Sequence, residues 1–107
     1  MSKENHQMST VIEFTMHANP GQYEHLLEVY SEFAEYMKES HDGLSQVLVV
    51  GDPASGLVRG IGVFETPDQA EAVNSEEVFA DFNSKVTPLI SGSPERVELQ
   101  LVHTFTA

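Results

Sequence analysis

The 107-residue sequence contains no cysteine and no tryptophan, and only 5 of its residues are Lys or Arg. Without cysteine, disulfides, thiolate nucleophiles and zinc–sulfur sites are excluded. The 17 Asp and Glu residues give a formal net charge of −12. Such a chain lacks the basic surface that releases counterions from nucleic acid or docks on anionic membranes. We therefore expect no nucleic-acid partner and no membrane partner.

Long apolar runs are also missing. No segment approaches the roughly 18 apolar residues of a membrane span, and residues 1–9 have no apolar stretch typical of a secretory signal. We expect a flexible leader over residues 1–9, a single domain over residues 10–107 and a cytoplasmic location. With 40% hydrophobic and 21% charged residues, that domain has an ordinary globular composition.

The first half of the domain predicts a strand followed by a helix. Residues 10–17 alternate apolar and polar side chains, which is the pattern of a half-buried strand. Asn19 and Pro20 suit the N-cap and first turn of a helix, and Gly43 suits a left-handed stop after it. The helix carries an apolar stripe at helical spacing: Tyr23, Leu26, Leu27, Tyr30, Phe33, Ala34 and Met37.

The second half predicts a hairpin, an interrupted helix and a closing strand. Strands over 44–50 and 57–65 flank the turn-forming residues 51–56. Thr66 suits the N-cap of the next helix, and Ser75 suits a second helix start after an interruption near Asn74. Residues 97–105 form the last predicted strand.

The order strand–helix–strand–strand–helix–strand predicts an α+β, ferredoxin-like βαββαβ fold, with one antiparallel sheet and both helices on one face. The expected strand order is 4-1-3-2. Gly60 and Gly62 allow a helix to approach closely, so their face of the third strand is assigned to the helices. On the last strand, Leu99, Leu101 and His103 are assigned to the same side.

The opposite sheet face is predicted to be too apolar for water alone. It would carry four aliphatic side chains around two charged ones and Gln100. These are Val11, Ile61, Val63 and Val102 around Glu13 and Arg59. A homodimer in which two such faces meet explains this pattern most simply.

The chain resembles the dimeric α+β barrel superfamily, and within it the antibiotic-biosynthesis-monooxygenase-like domains. The resemblance spans about residues 10–106. It is carried by the βαββαβ order, by residues 63–68 (Val-Phe-Glu-Thr-Pro-Asp), and by residues 75–79 (Ser-Glu-Glu-Val-Phe) with a later Pro-Leu pair at 88–89.

This resemblance implies a cofactor-independent monooxygenase-like protein that acts on a small aromatic or quinol-type substrate in a helix–sheet pocket. The alternative is a non-catalytic homodimeric binding or interaction module of the same fold. Haem degradation, known in one branch, is disfavoured, because Phe14, Ala72 and Asn83 stand where that branch has Asn, Trp and the iron-binding His. No cofactor and no metal site is expected, since the histidines lack ligand spacing.

Candidate site residues follow from the predicted faces. Glu13 and Arg59 would pair across two central strands, with Gln100 extending the network at the dimer interface. Arg59 alternatively suits an anionic substrate oxygen. His103 is the candidate general base, against the alternative of a hydrogen-bonded core histidine.

Other candidates are drawn from the helices and the first strand. Asn83 and Tyr30 are expected to orient the substrate. Four further aromatic side chains would form the core or line a pocket for a flat ligand: Phe14, Phe33, Phe79 and Phe82.

Overall fold

The computed structural model describes residues 9–104. The predicted leader therefore lies almost wholly outside the described residues. These described residues form four strands and three helices, with a short 3-10 turn over Thr87–Leu89. In chain order these are β1 (Thr10–His17), α1 (Tyr23–Ser40), β2 (Leu44–Asp52), β3 (Leu57–Phe64), α2 (Pro67–Ala72), α3 (Glu76–Val86) and β4 (Glu95–Gln100).

The four strands form one antiparallel sheet in the order β2-β3-β1-β4. This order is the predicted one, with β1 and β3 at the centre. The helices pack on one sheet face, so the α+β, ferredoxin-like fold is confirmed. Within residues 9–104, no helix is long and apolar enough to cross a membrane.

The interrupted second helix is confirmed, and its two starts are capped as predicted. The Thr66 hydroxyl accepts a hydrogen bond from the Gln69 amide, and the Ser75 hydroxyl accepts one from the Val78 amide. Each cap satisfies an amide that the first helical turn leaves without a backbone partner. The break between α2 and α3 leaves Asn74 beside the sheet rather than inside a helix.

The predicted ends of the first helix are wrong. Residues 19–22 form a turn in which Gly21 has a φ of +81°, so α1 begins only at Tyr23. The Asn19 side chain instead accepts a hydrogen bond from the Ser91 hydroxyl at 2.8 Å. At the other end, α1 is capped by His41 in an extended conformation, and Gly43 has no positive φ.

The faces predicted for the last strand are also wrong. Ile12 and Phe14 face Glu98 and Arg96 across the β1–β4 ladder, while Val11 faces Leu99. Directly opposed residues of an antiparallel pair point to the same face. Arg96, Glu98 and Gln100 therefore lie on the helix side, and Leu99 lies on the open side.

The core lies between the helices and the central strands. Its fully buried side chains include Met16 of β1, Leu26 of α1, Val58 of β3 and Val86 of α3. Gly60 is required at the centre of β3, because a Cβ there would overlap the ring of Tyr30. The predicted close approach of a helix to the glycine face of β3 is confirmed at this position.

Candidate functional site

A cavity of about 70 Å³ lies between the helices and the sheet. Its walls come from β1, β2 and β3 on one side and from α1 and α3 on the other, with β4 at the edge. The walls are almost entirely apolar and include the five predicted pocket residues Phe14, Tyr30, Phe33, Phe79 and Phe82. The structure thus brings together the whole aromatic set predicted from the sequence.

The aromatic rings of the cavity wall contact one another. Phe33 stacks on Phe82 with ring centroids 4.3 Å apart, and Phe79 lies 5.2 Å from both Phe14 and Phe33. Such pairs add stabilisation beyond the apolar area they bury. Flat faces around an apolar space favour a flat apolar ligand over an extended polar one.

Tyr30 contributes its ring to the cavity and its hydroxyl to the backbone. The hydroxyl donates a hydrogen bond of 2.8 Å to the carbonyl oxygen of Phe14. Burial raises the pKa of Tyr30 well above the usual value of a tyrosine, and this outweighs an opposing hydrogen bond with the backbone of Gly60. Tyr30 is therefore a neutral, fixed wall residue at physiological pH.

Two polar residues that the sequence did not single out also line the cavity: Asn74 and Arg96. Asn74 lies there because the chain breaks between α2 and α3. Arg96 lies there because it faces Phe14 across the ladder. The break near Asn74 was visible in the sequence, but the register that turns Arg96 inward was not.

A second, wider groove of about 320 Å³ runs between α1 and α3. Phe33 and Phe82 line this groove as well as the inner cavity, so the stacked pair is the wall between the two spaces. The outer rim of the groove carries acidic side chains and an ion pair in which Lys85 lies 3.3 Å from Asp81.

Three predicted site residues do not line the cavity. Arg59 lies on the open sheet face and donates from Nε to the Thr15 hydroxyl at 3.0 Å. Asn83 is exposed on α3, and its carbonyl oxygen accepts a hydrogen bond from Thr87. His103 is exposed beyond the end of β4.

The predicted cross-strand pair of Glu13 and Arg59 is offset. Both residues lie on the open face of adjacent strands, but Glu13 faces Ile61 whereas Arg59 faces Thr15. Within residues 9–104 the two side chains form no ion pair. Gln100, expected beside them, lies on the other face because it is opposite Thr10, which shares the face of Ile12.

The open sheet face is more apolar than the sequence analysis predicted. Leu48, Val50, Val97 and Leu99 point outward from the edge strands and are each 40–47% exposed. They flank the apolar side chains of the two central strands. The apolar open face therefore extends across the two edge strands, to both edges of the sheet.

In the part of the chain that the structure describes, no group of three or more His, Asp or Glu side chains is placed to hold a metal ion. The cavity walls offer ring faces and aliphatic groups, and two polar residues, Asn74 and Arg96, lie among the lining residues. What this arrangement can do chemically is to enclose a small apolar molecule.

The fold is that of antibiotic-biosynthesis-monooxygenase domains, as the resemblance in the sequence implied. The chain is similar to a candidate antibiotic biosynthesis monooxygenase of Caulobacter crescentus, with a TM-score of 0.78 and 15% identity over 91% of this chain and 92% of that one. A second candidate of this type, from Chloroflexus aurantiacus, gives a TM-score of 0.70 and 24% identity over 92% and 97%. A Nitrosomonas europaea protein of unknown function gives a TM-score of 0.77 and 16% identity over 96% and 98%.

At these sequence identities, the similarity shows a shared fold and does not extend to a shared activity. No protein-family model and no curated protein matches the sequence.

Proposed function

We propose that the protein binds a small, flat aromatic molecule in the helix–sheet cavity. The observation that carries this proposal is the set of four phenylalanine rings around an apolar space, with polar groups confined to its edge. A single aromatic ring needs roughly 150 Å³, about twice the space present. Binding therefore requires Phe33 to turn toward the outer groove, which has room for its ring.

The binding test is a titration followed by amide chemical shifts. Phenol should shift the amide resonances of Gly60 and Gly62, which line the cavity. Ala34→Leu is the matched control, since Ala34 also lines the cavity and the added carbons would fill it. The proposal fails if wild type shows no shifts at these glycines, or if Ala34→Leu shows the same shifts.

The second candidate function is oxygenation of a quinol-type ligand without a cofactor. Its support is the shared fold with candidate monooxygenases. Among the described cavity residues, Tyr30 is too weak an acid to supply a phenolate base at neutral pH, so the test cannot assume a base inside the cavity. Arg59, Asn83 and His103 remain the candidate catalytic residues outside it.

Oxygen consumption with a panel of hydroquinones and anthrones tests this activity. If the protein is an enzyme, oxygen would be consumed faster with it than by the same substrate in buffer alone. Ala34→Leu would lose this excess rate. His103→Ala would lose it only if His103 acts as the base. Ligand binding without any excess oxygen consumption would show that the protein is a non-catalytic binding protein.

We further propose that the protein is a homodimer in which two open sheet faces meet. Most of the acidic side chains behind the −12 charge lie outside the open sheet face, so the helix surfaces of two copies repel each other. The centre of the open face instead carries one charge of each sign, Glu13 and Arg59, among aliphatic side chains. A two-fold axis would bring Glu13 of one protomer near Arg59 of the other.

Light scattering tests this assembly. A dimer would have twice the 11.8 kDa mass of the chain. A monomeric mass at micromolar concentration would contradict the proposal.

A further inference from the structure

We propose that the ligand of the helix–sheet cavity carries an anionic group, a carboxylate or a phenolate, and that Arg96 binds it. This inference rests on the proposed function, because it names the chemical class of that ligand. Arg96 points toward the helix side of the sheet, opposite Phe14, and its side chain lines the cavity. It is the one charged residue among the described cavity-lining side chains.

The present partner of Arg96 holds it only loosely. The nearest guanidinium nitrogen lies 3.7 Å from a carboxylate oxygen of Glu98, which is beyond hydrogen-bond distance. Among the side chains that the structure describes, Glu98 is the one acidic group within 4.0 Å of Arg96. A guanidinium has five N–H donors, so Arg96 retains donors for a ligand.

The position of Arg96 favours an ionic contact of useful strength. Its side chain is 25% exposed, against 43% for Glu98. Partial burial beside apolar walls reduces solvent screening of the charge. The planar fork of arginine matches the two oxygens of a carboxylate, and such hydrogen bonds are about twice as strong as neutral ones.

The net charge of the chain makes a local cation necessary for this ligand class. A chain of formal charge −12 repels anions at long range. Arg96 is one of only 5 Lys and Arg residues, and it lies where the ligand edge would emerge from the aromatic walls. Glu98 then opposes binding, because it is two residues away on the same strand face and competes for the same guanidinium.

The test compares benzoate with benzamide, which have nearly the same shape and differ in charge at neutral pH. Affinities are taken from shifts of the Gly60 amide in wild type, Arg96→Gln, Arg96→Lys and Glu98→Gln, at one ionic strength. Lys38→Gln is the matched control, since it removes one positive charge from an exposed position on α1.

Wild type should prefer benzoate. Arg96→Gln should reduce the benzoate-to-benzamide affinity ratio about tenfold, and Arg96→Lys should reduce it less. Glu98→Gln should raise the ratio about threefold, and Lys38→Gln should leave it unchanged. An unchanged ratio in Arg96→Gln would overturn the assignment of Arg96.

The outcomes separate this inference from the function on which it rests. Benzamide shifting the Gly60 amide without a preference for benzoate would refute the anionic ligand and leave the aromatic binding site standing. Failure of benzamide, benzoate and phenol alike to shift that amide would refute the binding site itself, and the role of Arg96 with it.

Discussion

Phe14 and Arg96 lie opposite each other in the β1–β4 ladder, and this single register position brings a cation to the edge of an aromatic cavity. A shift of β4 by one residue would turn Arg96 to the open face and bring its neighbour Val97 to the cavity. The same register places Leu99 outward beside Val11. One ladder thus determines both the chemistry of the cavity edge and the apolar character of the open face.

Gly60→Ala should destabilise the protein by about 2 kcal/mol, because the new methyl group would overlap the Tyr30 ring in a packed core. Gly62→Ala is the matched control on the same strand, where the nearest atoms lie 3.3–3.4 Å from the added carbon. It should cost less than about 1 kcal/mol. Urea unfolding of the two variants gives both values, and equal losses would contradict the close approach of α1 to β3 at Gly60.

Tyr30→Phe should cost about 1 kcal/mol near neutral pH, since it removes the hydroxyl that bonds to the Phe14 carbonyl. The folded pKa of Tyr30 lies above its unfolded value. Its contribution to stability is therefore complete below the unfolded pKa, about 10, and is lost as pH rises from there through the folded pKa.

The free energies of unfolding of wild type and Tyr30→Phe, measured at about pH 7, pH 9 and pH 11, check this sign. The advantage of wild type should be the same at the two lower values and smaller at the highest. An advantage that grows at the highest pH would show that the folded protein favours the phenolate instead.

Much of this fold could be predicted from local sequence signals. Thr66 and Ser75 are capping residues followed by helical patterns, and both begin helices. The alternation in β1 and the glycines of β3 identified the helix-facing sides of the two central strands. These signals act over a few residues, so one sequence is enough to show them.

The wrong predictions concern features that are determined by contacts between residues far apart in the sequence. Asn19 and Pro20 are good helix starters, but the Asn19 side chain is bound by Ser91, and α1 begins later. In the edge strand β4 the apolar Val97 and Leu99 lie on the open face, whereas the polar Arg96, Glu98 and Gln100 lie on the helix side. Its alternation read alone therefore indicates the opposite orientation. Arg96 was therefore missed, and His103, assigned to the helix side, lies beyond the end of β4 and is exposed.

Phe33→Ala should cost about 3 kcal/mol, because Phe33 stacks on Phe82 and packs against Phe79. The change would also join the inner cavity to the outer groove. Phenol should then raise the melting temperature of Phe33→Ala more than that of wild type, since ligand binding to the native state stabilises it.

Tyr23→Ala is the control for this change, because it truncates an aromatic ring on the same helix at a residue that lines neither of the two spaces. It should gain nothing extra from phenol. A phenol response in Phe33→Ala no larger than in wild type would contradict the role of Phe33 as the wall between the two spaces.

Leu99→Lys should convert the proposed dimer to a monomer, because it puts a charge into the apolar open face, where Leu99 is 47% exposed. Ala80→Lys adds the same charge at an exposed position on α3, away from the open face, and should leave the mass unchanged. Light scattering distinguishes the two variants. A dimeric Leu99→Lys, in a protein whose wild type is dimeric, would place the interface elsewhere.

The most direct test of the aromatic binding site is a crystal structure of the protein with 4-iodophenol, in which anomalous scattering locates the iodine. The ring should lie in the helix–sheet cavity, between Phe14 and Phe79 on one side and a displaced Phe33 on the other, with its oxygen toward Arg96. The same experiment on Ala34→Leu should show no iodine there. Iodine found only on the open sheet face or in the outer groove, with the cavity closed in wild type, would contradict the account.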